Sequence, residues 1–359
     1  MISDSKNHSG KKVWLMDVVV IRLALIILLV LYHSFCIYTG AWKVPYDSFH
    51  KIVGYDWIGM LSHQFRLQGM VFISGLLFGY NMTKKEKKEL HFLPFILQKA
   101  KRILLPCLFF GLIYYLLFYD LSVGWTTIVY RIMNGCGHLW FLPMIFWCFI
   151  ITYILAHYPP LLERRQIFYT ILAVSCMLAV LNPLSFLPFG LGNVGQYYVY
   201  FIIGFGLRQN VISFPKDSWR HQLTAILIFC TAFIANMLMR AEWPGEDTLI
   251  MKAIRLASFN VCTLLTSLSA IYIFYSVSNR KRVINWLKSK PMLITLSGYC
   301  YGVYIYQQFI LQYLYYKTSI PMTVNEYVLP WIGFAVTLCL SLTLCWLTLK
   351  TRFGRFLIG

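Results

Sequence analysis

Predominantly apolar stretches of roughly 20 residues recur along this chain from Leu15 to Leu349. A stretch of that length, wound as a helix, covers the hydrocarbon layer of a bilayer, which is about 30 Å thick. The 359 residues are 59% hydrophobic, with a mean hydropathy of +0.63, which exceeds what a soluble domain of this size can bury. No polar stretch between the apolar runs is long enough to form a soluble domain. The sequence therefore predicts one all-α membrane domain over residues 1–359.

We predict about ten transmembrane helices. The expected spans are 14–36, 57–80, 103–119, 138–157, 167–185, 195–211, 222–240, 254–277, 291–314 and 327–349. Lys11 and Lys12 precede the first run as in a signal peptide, but the run is long and has no small-residue cleavage site. We therefore expect the first span to be retained as part of a multi-pass protein. No internal repeat supports the duplicated halves that are common in transporters.

The basic residues indicate an orientation. With the N-terminus in the cytoplasm, the inside loops hold 23 of the 32 lysines and arginines and the outside loops hold seven. This asymmetry follows the positive-inside rule. The net charge of +19 therefore reflects the orientation of the chain among membrane lipids, and it does not predict a nucleic-acid partner. The ten cysteines show neither CxxC nor metal-ligand spacing, so we predict no disulfide framework and no metal.

Arg22 and His33 lie eleven positions apart in the first expected span. At about 100° per residue they return to within about 20° of the same helix face, about 16 Å apart along the axis. Arg22 then lies in the inner half and His33 close to the outer surface. Imidazole is well suited to remove a proton from a hydroxyl near neutral pH. We therefore predict that His33 is the catalytic base, with a hydrogen-bonded packing role as the alternative.

Two arginines, Arg22 and Arg66, are expected inside the membrane, where an unpaired guanidinium is costly. None of the 13 acidic residues falls mid-span; Asp17 lies five residues before Arg22, and Arg66 has no evident acidic partner. We predict that both arginines bind an anionic ligand such as a phosphate or a thioester-bearing cofactor. The alternative is that carbonyls, tyrosine hydroxyls or snorkelling satisfy them. His63, three residues before Arg66, is a second candidate base.

The segment 81–105 joins a basic loop to an amphipathic stretch before the third span. One interpretation is a solvated loop followed by a helix that lies on anionic lipid headgroups. The other is that Lys99, Lys101 and Arg102 also form a phosphate-binding cradle at the cytoplasmic surface.

Five segments, taken in order over most of the chain, resemble motifs of the acyltransferase 3 family of membrane proteins. They are RLALIILLVLYH from Arg22, FISG from Phe72, KAKRILLP from Lys99, HLWFLP from His138 and SGYCYGVYIYQ from Ser297. The chain departs from the family pattern at three places. Lys99 replaces the first arginine of Arg-x-x-Arg, Gln307 replaces a late histidine, and Asp17 lies two positions too early for the acidic residue before Arg22.

The resemblance implies an enzyme that moves an acyl group, commonly acetyl from acetyl-CoA, to a sugar hydroxyl of a surface glycan or a lipid-linked precursor. Acyl-CoA is then the co-substrate, and the protein lies in the cell membrane, a bacterial inner or plasma membrane. Lys99 and Arg102 lie where the phosphates of CoA approach, and His33 lies where an outer sugar approaches. The oligomeric state is not predicted.

Two other functions remain open. A transporter or flippase for a glycan or anionic solute also needs many spans and buried basic residues, although it does not account for the alignment of His33. Proton-coupled carriers usually place carboxylates in mid-membrane, which this sequence lacks. A structural or sensing subunit, in which the buried polar residues only connect helices, is the other alternative.

Overall fold

A computed structural model of the protein describes residues 15–84, 91–157, 160–240 and 248–359. Within these ranges every regular element is a helix and no strand occurs, which confirms the all-α prediction. The basic loop expected around residues 84–88 lies, beyond residue 84, outside the described residues.

Seventeen α-helices follow one another along the described chain. They are α1 (Met16–Ser34), α2 (Cys36–Thr39), α3 (Val53–His63), α4 (Arg66–Lys84), α5 (Phe92–Lys99), α6 (Leu105–Phe118), α7 (Trp125–Asn134), α8 (Phe141–His157), α9 (Arg165–Leu181), α10 (Leu191–Arg208), α11 (Trp219–Arg240), α12 (Leu249–Ser278), α13 (Lys281–Lys288), α14 (Pro291–Tyr316), α15 (Ile320–Thr323), α16 (Leu329–Lys350) and α17 (Arg352–Ile358). A π-helical turn, Ala100–Leu104, joins α5 to α6, and a 3₁₀ turn, Gly137–Trp140, leads into α8. Another 3₁₀ turn, Leu161–Glu163, precedes α9.

Each of the ten expected spans falls on a helix, but fewer helices than ten qualify as membrane spans. Six of those in the described ranges are long and apolar enough to cross a bilayer: Met16–Ser34, Phe92–Phe118, Gly137–His157, Trp219–Arg240, Ile250–Ser278 and Leu329–Lys350. By this measure the described ranges hold six candidate spans, which is fewer than the ten predicted. α9 is too short, while α4, α10 and α14 carry more polar residues because much of their surface packs inside the protein.

α1 is the central helix of the fold. It packs against α3, α4, α12, α14 and α16, so its side chains meet neighbours on several sides. In a bilayer a helix bonds its own backbone polar groups, and the apolar sequence of α1 can then be covered by other helices or by lipid. The position of α1 places the side chains at its end, including His33, inside the helical assembly.

α4 and α10 approach each other more closely than helices with larger side chains can. A Cβ atom built on Gly75 would lie 2.0 Å from the carbonyl oxygen of Phe201, and one built on Gly204 would lie 2.2 Å from that of Phe72. Small residues at such a crossing allow two backbones to pack directly. This gives a physical reason for the glycine in the FISG segment, because Gly75 fixes how α4 packs on α10.

Candidate active site

Four buried polar residues, His33, Arg66, His138 and Gln307, form what we call the histidine cluster. His33 lies near the end of α1 and is 8% exposed. Arg66 and His138 act on its charge, and the carboxamide of Gln307 lies close to its ring. Among the described residues, no hydrogen bond of good geometry reaches the buried Nδ1 atom of His33 or either amide atom of Gln307. A buried site with unused hydrogen-bonding atoms is suited to bind a polar ligand.

Arg66 begins α4 and is almost completely buried. Its guanidinium carbon lies 3.6 Å from the ring centroid of Tyr32, and Nη1 donates a hydrogen bond of 3.1 Å to the carbonyl of His63. Its Nε has no hydrogen-bond partner, and no carboxylate in the described part of the chain forms an ion pair with it. Tyr32 is the residue directly before His33, so the stacking of Arg66 on Tyr32 holds the guanidinium beside the predicted base.

The break between α3 and α4 sets the position of Arg66. At the break, the side-chain oxygen of Gln64 lies 3.4 Å from both Asn236 Nδ2 and Thr266 Oγ1. The Ser267 hydroxyl donates a bond of 2.6 Å to the carbonyl of Gln64. α11 and α12 therefore hold this corner, and α4 starts from it. The sequence predicts a single span at 57–80, and the structure corrects it to two helices.

His138 is the member of the histidine cluster to which sequence reasoning gave no role. Its Nε2 lies 3.0 Å from the carbonyl oxygen of Ile305, and the Tyr304 hydroxyl donates a bond of 2.6 Å to the carbonyl of His138. The segments that begin at His138 and at Ser297 are thus in direct contact. The resemblance of both segments to family motifs was the signal that could have assigned His138 to the site.

Two glycines shape the turn that presents His138. Gly135 and Gly137 both have positive φ, at 85° and 57°, which favours glycine. A Cβ on Gly135 would lie 2.4 Å from the Trp140 nitrogen, and one on Gly137 would lie 2.7 Å from the ring of Tyr114. The turn therefore depends on glycine both for its backbone angles and for space.

One face of α14 connects the histidine cluster with the predicted donor arginines. Ser297, Cys300, Tyr304 and Gln307, at helical spacing, are all buried, with Tyr301 partly buried beside them. Cys300 Sγ lies 4.0 Å from the backbone oxygen of Arg22, and the Tyr301 hydroxyl donates a bond of 3.3 Å to the carbonyl of Arg102. Arg22 and Arg102 thus meet the same turn of α14. From that turn to Gln307 is about 10 Å along the helix axis.

Arg22 is partly buried in the lower part of this arrangement. The carboxylate of Asp17, the acidic residue nearest to Arg22 in sequence, lies 3.8 Å from the guanidinium of Arg208 at the end of α10. Tertiary packing thus gives Asp17 a partner from a distant helix.

Lys99 and Arg102 have different surroundings. The ammonium of Lys99 lies 3.5 Å from the ring centroid of Phe149 and within 6 Å of the rings of Phe78 and Phe95. Arg102 is exposed, and its carbonyl is available to Tyr301 because Pro106, four residues on, has no N–H to donate. Arg102 lies within the π-helical turn and Lys99 directly before it, and such turns are common at functional sites.

Aromatic residues cover the His33 end of α1. The rings of His33 and Trp42 are nearly parallel, with centroids 5.9 Å apart. The Tyr315 hydroxyl donates a bond of 2.7 Å to the carbonyl of Ser34, which joins α14 to α1 here. Further out, the Glu326 carboxylate accepts a bond of 2.9 Å from the hydroxyl of Tyr46, and Tyr38 donates to the Glu326 carbonyl. The segment after α2 is therefore fastened over the cluster.

The structure thus brings Arg66 next to His33 and places Arg22 and Arg102 at a second level, with Lys99 in an aromatic cage. In the described ranges no group of three His, Cys, Asp or Glu side chains is arranged to hold a metal ion. A family model described as an acyltransferase domain matches residues 17–350 of the chain. The comparisons with curated proteins and with solved structures gave no match.

Proposed function

This chain belongs to the acyltransferase 3 family, and from that membership we propose that it transfers an acyl group, acetyl in the first instance, from acyl-CoA to a hydroxyl of a cell-surface glycan or its lipid-linked precursor. The chain is a multi-pass membrane protein with an acyltransferase domain over residues 17–350. The donor, the acceptor and the residues assigned to them below are our proposals.

The observation that carries the proposal is the burial of His33 with an unpaired ring nitrogen next to Arg66. A general base must present a lone pair to the hydroxyl that it deprotonates, and a neighbouring cation favours the negative charge that develops on the acyl oxygen. Both groups lie in a site sheltered from water, where electrostatic stabilisation is stronger than in solution. This combination suits acyl transfer from a thioester.

The reaction has a simple balance. His33 takes the proton of the acceptor hydroxyl as its oxygen attacks the thioester carbonyl, and Arg66 stabilises the oxyanion. The C–S bond then breaks, an ester forms, and the CoA sulfur leaves with the proton that His33 returns. No oxidant, reductant or metal takes part in these steps.

We propose that the donor approaches along the buried face of α14. Arg22 and Arg102, which meet α14 at Cys300 and Tyr301, bind the anionic part of acyl-CoA, with Lys99 close to the same entrance. The separation of about 10 Å between this level and Gln307 suits an extended pantetheine arm, which carries the thioester towards His33. Neither arginine then needs to touch the reacting carbonyl.

The proposed orientation places the N-terminus in the cytoplasm and His33 near the outer surface of the cell membrane. It rests on the 23 basic residues of the inside loops against seven outside. This count takes all ten expected spans as crossing, so we also propose that α4, α9, α10 and α14 cross the membrane together with the six long apolar helices. In support, α14 lies beside α1 from Cys300, opposite Arg22, to Tyr315, opposite Ser34.

Purified protein incubated with labelled acetyl-CoA and a cell-envelope glycan extract tests the proposal. An acyltransferase releases free CoA in an acceptor-dependent way, whereas a transporter or a structural subunit does not. His33→Gln should lower the rate by about 10² to 10⁴, the usual contribution of a positioned base. His50→Gln is the matched control, because His50 is exposed on the segment before α3. Near-normal turnover by His33→Gln would contradict the assignment of the base and leave His63 as the next candidate.

A further inference from the structure

His138 has a ring whose hydrogen-bonding roles are set by the backbone. A carbonyl oxygen can only accept a hydrogen bond, so the bond of 3.0 Å to Ile305 requires the hydrogen on Nε2 of His138. In the neutral ring, Nδ1 is then left as a lone-pair acceptor. Sequence reasoning and the reaction steps above give this acceptor no part.

The Nδ1 atom of His138 is buried, in a residue that is 6% exposed, and no atom of the described residues forms a hydrogen bond of good geometry with it, although the carboxamide of Gln308 lies close to the ring. Aromatic rings of Tyr114, Tyr304 and Phe309 surround the imidazole at centroid distances of 6.1, 5.1 and 6.3 Å. Buried polar atoms in native proteins are normally bonded, so an unused acceptor in such a setting points to a ligand atom.

The other buried polar atoms without hydrogen-bond partners, in the histidine cluster and in Gln308, indicate which ligand groups the site can bind. They are the side-chain oxygens of Gln307 and Gln308, the Gln307 nitrogen, Nδ1 of His33 and Nε of Arg66. Acceptors, the two amide oxygens and Nδ1 of His138, thus occur together with donors, the Gln307 nitrogen and Nε of Arg66. The site is therefore complementary to neighbouring hydroxyl groups, because each hydroxyl both donates and accepts a hydrogen bond.

We propose that His138 binds the acceptor, with Nδ1 accepting a hydrogen bond from a hydroxyl adjacent to the hydroxyl that His33 deprotonates. The acceptor is then a vicinal diol, as in a sugar ring with free neighbouring hydroxyls, and His138 selects which of the two is acylated. This inference rests on the proposed acyl transfer and adds a specificity residue to it.

Two substitutions test the roles of the two ring nitrogens of His138 separately. In His138→Gln the side-chain amide nitrogen reaches the position of Nε2 and can keep the bond to Ile305, but nothing replaces Nδ1. In His138→Asn the shorter amide lies near the position of Nδ1 and supplies an acceptor there, while the bond to Ile305 is lost. A residue that only packs α8 against α14 would tolerate the glutamine better than the asparagine.

The probes are cis-1,2-cyclohexanediol and cyclohexanol, which differ by one hydroxyl, with acetyl-CoA as donor and free CoA as the product measured. Wild-type protein should prefer the diol by about tenfold in kcat/KM, the factor that one buried neutral hydrogen bond carries. His138→Gln should lose this preference with an unchanged KM for acetyl-CoA, and His138→Asn should keep part of it. A diol preference that survives in folded His138→Gln would overturn the proposal.

A second measurement does not need turnover. In protein labelled with ¹⁵N-histidine, the signals of His138 are the ones missing from either variant, so one folded variant is enough to assign them. They should show a protonated Nε2 and an unprotonated Nδ1, whose signal moves when the diol is added and much less when cyclohexanol is added. A protonated Nδ1, or equal shifts with both probes, would refute the proposal. If the diol moves the signal but no CoA is released, the proposed acyl transfer fails while the binding role of His138 stands.

Discussion

Replacing Gly75 by alanine tests how the contact between α4 and α10 positions the site. The new methyl carbon would lie 2.0 Å from the carbonyl oxygen of Phe201, and the other atoms nearest to it are also backbone atoms. No side-chain rotation can relieve this contact, so the two helices must separate by about 1 Å to reach the shortest contact that real Cβ atoms show.

The expected cost is about 3 kcal/mol of unfolding free energy, at the upper end of the range for overpacked interiors, because separation also loosens the contacts along both helices. Arg66 begins α4, so CoA release should fall as well. Thermal unfolding in one detergent, followed by tryptophan fluorescence, measures the loss of stability.

Gly54→Ala is the matched control, because Gly54 lies in α3 and, apart from its own helical turn, no atom of the described residues lies within 4 Å of its Cβ position. Alanine has the higher helix propensity, so this variant should be neutral or up to about 1 kcal/mol more stable. If Gly75→Ala melts at the same temperature as Gly54→Ala, the close packing described for α4 and α10 is refuted.

Three further predictions concern the donor site, the charges outside the spans and the orientation. Arg102→Gln should weaken acetyl-CoA binding by about 1.5 to 3 kcal/mol, the value of a charge-assisted hydrogen bond, and unchanged affinity by titration calorimetry would remove Arg102 from the donor site. The Arg280 guanidinium, 2.8 Å from Asp217, and the amide of Gln222 lower the pKa of the Asp217 carboxyl. The ionised carboxyl therefore stabilises the folded state above the ordinary aspartate pKa, and this stabilisation is lost as the pH falls through the lowered pKa. Asp217→Asn should therefore lower the unfolding free energy at pH 7 by less than about 1 kcal/mol, as for an exposed ion pair, with no difference from wild type at strongly acidic pH. In a cysteine-free background, cysteine at Ser289 should resist a membrane-impermeant maleimide on intact cells, and labelling from outside would reverse the proposed orientation.

The helices were predictable from the sequence because lipid leaves a long apolar run little choice of backbone structure. The end of α1 at Ser34 and the start of α16 at Leu329 both fall within two residues of the expected bounds. Which of these helices qualify as spans was less predictable. The expected count exceeds the six helices that are apolar enough, because helices such as α14 place polar residues inside the protein, and a pattern of single residues does not show what covers them.

The site was predictable where its residues share one helix and not where they come together from distant segments. The alignment of Arg22 with His33 follows from the helical period alone. The pairing of Asp17 with Arg208 joins residues far apart in sequence, and no local rule selects it. The corner at Gln64 likewise depends on α11 and α12, so the sequence pattern showed one uninterrupted span there.

The π-helical turn at Ala100–Leu104 also determines how α5, the helix before it, is rotated about its own axis. Each residue advances an α-helix by about 100°, and a wide turn holds an additional residue without breaking the helix. Deleting one residue from this turn would restore the ordinary i to i+4 bonding and swing α5 around its axis by about 100°. Phe95, now stacked on Tyr153 at 4.5 Å, would leave the core, and the ammonium of Lys99 would leave the ring of Phe149. The length of this turn, counted in residues, therefore decides which side of α5 packs against the protein and which side is exposed.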